Sequence, residues 1–339
     1  EEMTQGHPVQ FEWAQEYLDK PHSQAVEEYS LLWDAHVSQE MKENTCILEL
    51  LETKGVDVFV PRYWTGITGI PELELDFSPD LPSRLKPKAR NINPRLFGKA
   101  EKEFERMKGY FYRESRSPWA SCLVFAPKAT HPGIRVCGDY VEMNKYIRTG
   151  HYTIPNVRHE LDKIIDYPIY LDIDLTNAFH QIPLGPNTRP KLSVQTPWGQ
   201  YEPMFMPEGI GPGSGVLQET VRKLFEDFDW AVVIFDNVLI LARDYQDGYE
   251  KLETFLDRCI QHNVVLKFAK TWLGFKEVNF FGYRCTHKSY SLTDDRKKAI
   301  LDIPFPKDGN RQKKIRVLLG SGVFFSPFVP NYSDLVADI

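Results

Sequence analysis

The stretch "AVVIFDNVLILA" at residues 231–242 constrains the fold more than any other in the chain. Two apolar runs rich in β-branched residues favour extended backbone. A two-residue polar break between such runs reads as a β-hairpin, with Asp236 and Asn237 at its tip. A carboxylate at a hairpin tip most often only shapes the turn. A second acidic strand end shifts that reading. "YLDIDL" (170–175) closes a β-rich run with Asp172 and Asp174, whose side chains share a face by strand alternation. If this strand pairs beside the hairpin, Asp174 and Asp236 converge. Carboxylates that close repel one another unless a divalent cation sits between them. A ligand set made only of oxygen favours Mg2+ or Mn2+, and such ions clamp the oxygens of a phosphoryl transfer.

Around this pair the pattern alternates between periods. Residues 23–55 show apolar positions at helical spacing and end at Gly55. A Pro-punctuated stretch at 60–95 reads as extended and wrapping a surface. Residues 95–110 and 247–264 read as helices, and a further helix is expected after the glycines of "PEGIGPGSGVLQ" (207–218). Strand patterns cover 121–128 and 134–140 around the turn "HPG", then 168–175, and "VNFFGYRC" at 278–285. Strands interleaved with helices around a central hairpin predict an α+β fold, an antiparallel sheet with helices on one face.

Charge is unevenly spread. The net of −6 hides 17 acidic residues against 4 Lys/Arg in residues 1–80. Residues 83–116 carry 11 Lys/Arg against 4 acids, and residues 260–320 carry 13 against 5. Two basic blocks flanking an acidic middle suit a polyanion lying over a carboxylate site, although two solvated helical faces would give the same count. The five cysteines (46, 122, 137, 259, 285) are scattered without CxxC spacing. Free thiols in a reducing compartment, cytoplasm or nucleus, are therefore expected. No run nears the roughly 18 apolar residues of a membrane span, and the first residues lack the pattern of a signal peptide.

At this point the order of motifs becomes informative. "RVCGDYVEMNKYI", "LDIDLTNAFHQIPL", "KLSVQTPWGQYEPMFMPEGI", "IFDNVLIL", "LKFAKTWLGFKEVNFFGY" and "KKIRVLLGSGVFFSPFVPNYSDL" follow one another from about residue 56 onward. This succession resembles the reverse transcriptase of gypsy-type LTR retrotransposons. The resemblance implies a right-hand polymerase fold with fingers (71–168), palm (169–285, with finger elements near 185–205), and a connection with partial thumb (286–339); residues 1–55 lie largely outside the resemblance, and an acidic, largely helical extension is expected at 1–70. It implies that Asp174 and Asp236 hold the metal, with Asn237 beside them. Lys128 and Arg135 stand where the fingers grip a triphosphate. Phe179 stands at the aromatic gate that selects dNTP over rNTP, and Glu208, Gly209 and Gln218 belong to the nucleotide-binding segment. Lys270 matches the general acid towards pyrophosphate. Phe280, Phe281 and Gly282 match the primer grip. Implied partners are an RNA or DNA template with primer, dNTP, and other domains of a polyprotein. Lys267, Lys270, Lys313 and Lys314 are expected to carry the salt-dependent part of nucleic-acid binding.

Four departures from the family pattern bear on activity. Asn237 replaces the second Asp of YxDD and Ile234 the Tyr, Glu208 stands at the Phe of MPFG, "GPGSG" (211–215) replaces the usual Asn-Ala-Pro run, and Val141 replaces the Arg of DYR. An Asn keeps a carbonyl oxygen but loses one negative charge. A carboxylate near a triphosphate is repulsive unless paired. The glycines predict a loose loop. The expected function is RNA-directed DNA synthesis. A silent scaffold binding RNA or protein is the alternative, as is a structural part of a larger particle docked through the acidic first 80 residues. Neither an RNase H, a protease nor an integrase is expected in this stretch.

Overall fold

The computed structural model describes residues 17–88, 90–128, 133–153, 155–302, 315–316, 320 and 326–336. Lys313, Lys314 and most of the "KKIRVLLGSGVFF" motif lie outside the described residues. The chain opens with helices α1 (His22–Leu31) and α2 (Gln39–Asn44), the latter capped by the Ser38 side chain accepting from Met41 N–H. The 23–55 pattern is therefore several short helices. It does not stop at Gly55: a π-helical turn (Leu51–Gly55) runs on into Val56–Phe59. These helices are part of the main core. Met41, Ile47 and Leu51 are fully buried, and Val37 forms a parallel bridge to Leu273. Residues 60–95 are extended and wrap the body as expected, bridging Leu73 to Leu184, Phe77 to Ile147 and Leu85 to Trp119.

Helix α3 (Phe97–Lys108) precedes strands β1 (Tyr112–Glu114), β2 (Ser121–Pro127) and β3 (Ile134–Asp139). Helix α4 (Val157–Ile165) leads to β4 (Ile169–Asp174), and β5 (Val194–Thr196) and β6 (Gly199–Pro203) follow. Next come α5 (Gly213–Leu224), β7 (Ala231–Ile234), β8 (Asn237–Ala242) and α6 (Tyr245–His262). After β9 (Trp272–Phe275), β10 (Glu277–Phe280), β11 (Tyr283–Thr286) and β12 (Ser289–Leu292) form a small meander, followed by α7 (Asp294–Leu301).

Among the described residues these strands form three sheets. The first, in order β1-β6-β5-β2-β3, carries one parallel pair, β2 with β5. The second, β7-β8-β4-β9, is antiparallel throughout and places the strand 169–174 beside the hairpin, as expected. The third is β10-β11-β12. The central sheet buries both faces. Leu171, Ile173, Val238, Ile240 and Ala242 face the core shared with α5 and α6. Tyr170, Leu239, Leu241, Val232 and Ile234 face α4 and the small sheet.

Three sequence expectations need correction. The hairpin turn consists of Phe235 and Asp236, because Ile234 pairs with Asn237 across it; Asn237 is the first residue of β8 and not a tip residue. Phe235 supplies the positive φ (54°) that a tight two-residue turn demands. The single strand expected at 278–285 is two strands, folded back at Phe281 (φ 48°) and Gly282 (φ 85°). The glycines of "GPGSG" do not make a loose loop, since Gly213 and Gly215 lie inside α5. A Cβ on Gly215 would sit 2.3 Å from the Tyr152 ring, and one on Gly213 would sit 3.4 Å from Phe179. The Tyr152 ring lies against the first turn of α5, so the residue beneath it at 215 has no side chain.

Candidate active site

Strand alternation and register build the carboxylate cluster. Asp174 stands directly opposite Asn237 in the β4–β8 ladder, and Asp172 lies one step back on the same face. The apolar row Tyr170–Leu241–Leu239 gives way here to polar residues at the end of the sheet. The turn is fastened to the strand by the Leu175 N–H, which donates to the Asp236 carbonyl at 2.7 Å. Burial raises the proton affinity of Asp174; the nearby Lys270 ammonium opposes that shift, and the Asp236 charge adds to it. The Lys270 Nζ sits 3.5 Å from Asp174 Oδ2. Burial also lifts Asp172, to about 6, against the hydrogen bond it accepts from Asn237.

Asn237 Nδ2 donates to Asp172 Oδ1 at 2.6 Å, while Asn237 Oδ1 is buried and accepts no hydrogen bond from the described residues. Buried polar oxygens normally find a partner. An orphaned carbonyl oxygen beside two carboxylates is an arrangement that a hard divalent cation would satisfy. The donor set is entirely oxygen, which suits Mg2+ or Mn2+ over zinc. Among the described residues no cluster of three or more His, Cys, Asp or Glu side chains converges on one point. Asp174 and Asn237 face each other at this strand end, and the turn residue Asp236 is tied to it through its backbone carbonyl.

Beside this cluster opens a cavity of about 460 Å³ lined by Lys128, Arg135, Glu208 and Lys267, among others. Lys128 follows the end of β2, its N–H closing a turn onto Gly133 O at 3.1 Å, and Arg135 pairs with Ala126 on the facing strand. The Lys267 N–H donates to the backbone carbonyl of Asp174 at 2.8 Å, which ties this segment to the end of β4. Burial depresses the Lys267 ammonium, and the neighbouring charge of Lys270 adds to the effect. Glu208 enters the same cavity, and its charge helps hold the Cys137 thiol up, after burial itself. His180 lines the cavity too. Burial, with the field of Arg106, pushes it down to about 4, so it is neutral. The first described residues, Tyr17 to Lys20, close one wall.

Other expected site residues fall in different places. Phe179 is half-buried in a 3-10 turn (Ala178–Gln181), next to the cavity residues Asn177 and His180. Gly209 takes φ 90° and its carbonyl accepts from Asn144 Nδ2 at 2.9 Å, which fixes the segment after Glu208. Gln218 is the clear correction. It is 1% exposed, donates to Val233 O at 3.0 Å and accepts from Phe235 N–H at 2.7 Å. Both of its polar atoms are taken by the hairpin, so it holds the turn and does not reach a nucleotide. Of the expected primer-grip residues, Phe280 is buried in the second core and only Phe281, at the turn, is exposed. Sequence reasoning missed the pairing of Asp172 with Asn237 and the place of Lys267 in the cavity. The signal for the first was the shared parity of Asp172 and Asp174.

Residues 126–285 match the family model described as "Reverse transcriptase (RNA-dependent DNA polymerase)". The chain carries a reverse transcriptase domain. It is 26% identical over 231 residues to the Transposon Tf2-7 polyprotein of Schizosaccharomyces pombe, covering 68% of this chain. It is 27% identical over 229 residues to the Retrovirus-related Pol polyprotein from transposon 297 of Drosophila melanogaster, covering 66% of this chain. The matches span only 17% and 21% of those polyproteins. Among solved structures, the chain superposes on the foamy viral protease-reverse transcriptase in complex with double-stranded DNA, with a TM-score of 0.79 at 19% identity. That superposition covers 92% of this chain and 54% of the other. The foamy viral enzyme in complex with RNA/DNA hybrid gives 0.72 at 17% identity, covering 93% of this chain and 43% of that one. These likenesses establish the α+β right-hand fold of the reverse transcriptase domain. No described helix is long and apolar enough to cross a membrane.

Proposed function

We propose that this reverse transcriptase domain is an RNA-directed DNA polymerase acting on a primer annealed to an RNA or DNA template. The observation that carries the reading is the locking of Asp174 and the Asp236 turn into one strand end, beside a cavity lined with lysine and arginine. Asp174, Asp236 and the Asn237 carbonyl would hold Mg2+ or Mn2+, which supplies charge neutralisation and oxygen alignment when bound. The chain's own cations complete the electrostatics. Lys128 and Arg135 accept the triphosphate, and their fixed charges are worth most where water is thinned out. Lys270, beside Asp174, donates a proton to the departing pyrophosphate, while the primer 3′-hydroxyl attacks the α-phosphate of the dNTP. Phe179 crowds a ribose 2′-hydroxyl, and Phe281 with Gly282 supports the primer end. Glu208 lowers dNTP affinity in the same cavity by like-charge repulsion.

Fingers at 71–168, palm at 169–285 with finger elements near 185–205, connection and thumb at 286–339 and the acidic helical extension at 1–70 are the working division of this activity. The packing of the extension helices into the palm core supports treating them as one folding unit with it. We place the activity inside the cell, in cytoplasm or nucleus, within a polyprotein. The test is extension of oligo(dT) on poly(rA) in Mg2+ or Mn2+. Metal-dependent extension is expected; binding of the duplex without any extension would favour a silent scaffold.

A further inference from the structure

Asn237 differs from an aspartate in one structural respect beyond charge: its two terminal atoms are not equivalent. An aspartate can turn either oxygen to an ion. An asparagine serves only when the oxygen faces it, and the reverse orientation presents two N–H donors to a cation. A chain with asparagine at this position therefore needs something that selects the orientation. The structure contains such a device. Asn237 Nδ2 is held by Asp172 Oδ1 at 2.6 Å, one step along the sheet from Asp174. Because the amide is planar, anchoring nitrogen on Asp172 turns Oδ1 away from that carboxylate, at the strand end where Asp174 is the register partner of Asn237. That oxygen is buried and accepts no hydrogen bond from the described residues. The reverse orientation would press Oδ1 against a carboxylate oxygen with no proton between them.

We propose that Asp172 is a positioning residue that fixes the Asn237 amide so that its carbonyl oxygen, and not its nitrogen, faces the ion held by Asp174 and Asp236. This rests on the proposed metal-dependent polymerase reading. Asp172 sits outside the ligand set and acts through Asn237, as outer hydrogen-bond partners of metal ligands commonly do. Asp172 places a negative group on the neighbouring strand, two residues before Asp174. A consequence follows for restoring the aspartate. Asn237→Asp on its own sets two carboxylates in hydrogen-bond contact with no donor between them, whereas Asp172→Asn together with Asn237→Asp reverses the pair and keeps the bond.

The test is binding of Mn2+ alone to the full chain, followed by electron paramagnetic resonance, with the fold of each variant checked by thermal melting. Wild-type binding should be lost in Asp174→Asn. Asp172→Val, which removes the acceptor from a half-buried strand position, should weaken Mn2+ binding by about tenfold or more. Asp172→Asn keeps an acceptor oxygen for Asn237 Nδ2 and should stay within roughly threefold of wild type, a rescue that a bulk-charge role would not give. The paired exchange Asp172→Asn/Asn237→Asp should bind more tightly than Asn237→Asp alone. Wild-type affinity in Asp172→Val, or equal loss in Asp172→Val and Asp172→Asn, overturns the positioning role while leaving the metal site intact. If Asp172→Val does not fold, the single and paired exchanges decide: a paired exchange no tighter than Asn237→Asp overturns it. Wild-type binding that Asp174→Asn leaves unchanged overturns the metal-site reading itself, and this inference with it.

Discussion

Gln218→Met is the perturbation with the most definite expected magnitude. β7 is an edge strand, so the outward carbonyl of Val233 and the N–H of Phe235 have no strand beside them. The Gln218 side chain stands in for that strand with two bonds, at 3.0 and 2.7 Å, from a fully buried position on α5. Methionine fills a similar volume but can replace neither bond. Each buried backbone group left unsatisfied costs about 1–3 kcal/mol. Phe235 holds a positive φ of 54°, a conformation that itself costs about 1 kcal/mol or more outside glycine and persists only while its surroundings hold it. Some relaxation towards water is open to a half-buried turn. A global loss of about 2–4 kcal/mol is therefore expected by urea denaturation, together with faster hydrogen exchange at Phe235 and Asn237. Since Asp236 follows Phe235 directly, nucleotide addition should fall more than duplex binding. A loss below about 0.5 kcal/mol, within the range of ordinary surface changes, with unchanged exchange at the turn, would refute the idea that Gln218 holds the hairpin.

Gly215→Ala should destabilise by about 1–3 kcal/mol through overpacking against Tyr152, whereas Gly98→Ala, which meets nothing within 4 Å, should stabilise α3 by about 0.5–1 kcal/mol; paired thermal melts distinguish them. His180, pushed down to about 4 from an ordinary 6.5, makes the unfolded chain bind more protons than the native one between those values. Its contribution is fully present above pH 6.5 and is lost as pH falls towards 4, by roughly 3 kcal/mol at about 1.4 kcal/mol per unit. His180→Phe should flatten the stability profile in that window, measured by urea titration at each pH. Charge reversal at Lys267 and Lys270 should weaken duplex binding and flatten its salt slope by about one unit per lost phosphate contact; a slope that stays unchanged would argue that these lysines face away from the nucleic acid.

Much of the site was legible because its chemistry coincides with local pattern. Period-2 alternation placed Asp172 and Asp174 on one face, and the interrupted apolar run located Asp236 beside a turn. What was not legible depends on register or on contacts distant in sequence. Whether Asn237 belongs to the turn or to β8 turns on a one-residue choice, and only the Ile234–Asn237 pair settles it. An aromatic at positive φ, as at Phe235 and Phe281, is a conformation that propensity disfavours and tertiary packing imposes. Glycines 213 and 215 read as a loop because glycine weakens helices, yet both lie in α5, and the Tyr152 ring leaves no room for a Cβ at 215. The sequence leaves open whether the extension folds with the rest; its apolar side packs on the central sheet, where Gly274, at φ 80°, leaves room for Met41, whose Sδ would lie 2.6 Å from any Cβ. Gln218 was misassigned because its position in the motif says nothing of which way its amide points.

The central claim is that Asp174 and Asp236 form the catalytic carboxylate pair of a DNA polymerase. Single-turnover addition of one dNTP to a primer on RNA template tests it most directly, in wild type, Asp174→Asn and Asp236→Asn, with duplex binding measured on the same samples. Loss of an essential carboxylate is expected to slow addition by about a thousandfold or more, some 4 kcal/mol of barrier, while duplex affinity changes little. Wild-type addition that both variants retain, or loss of addition that merely tracks loss of duplex binding, would contradict the account.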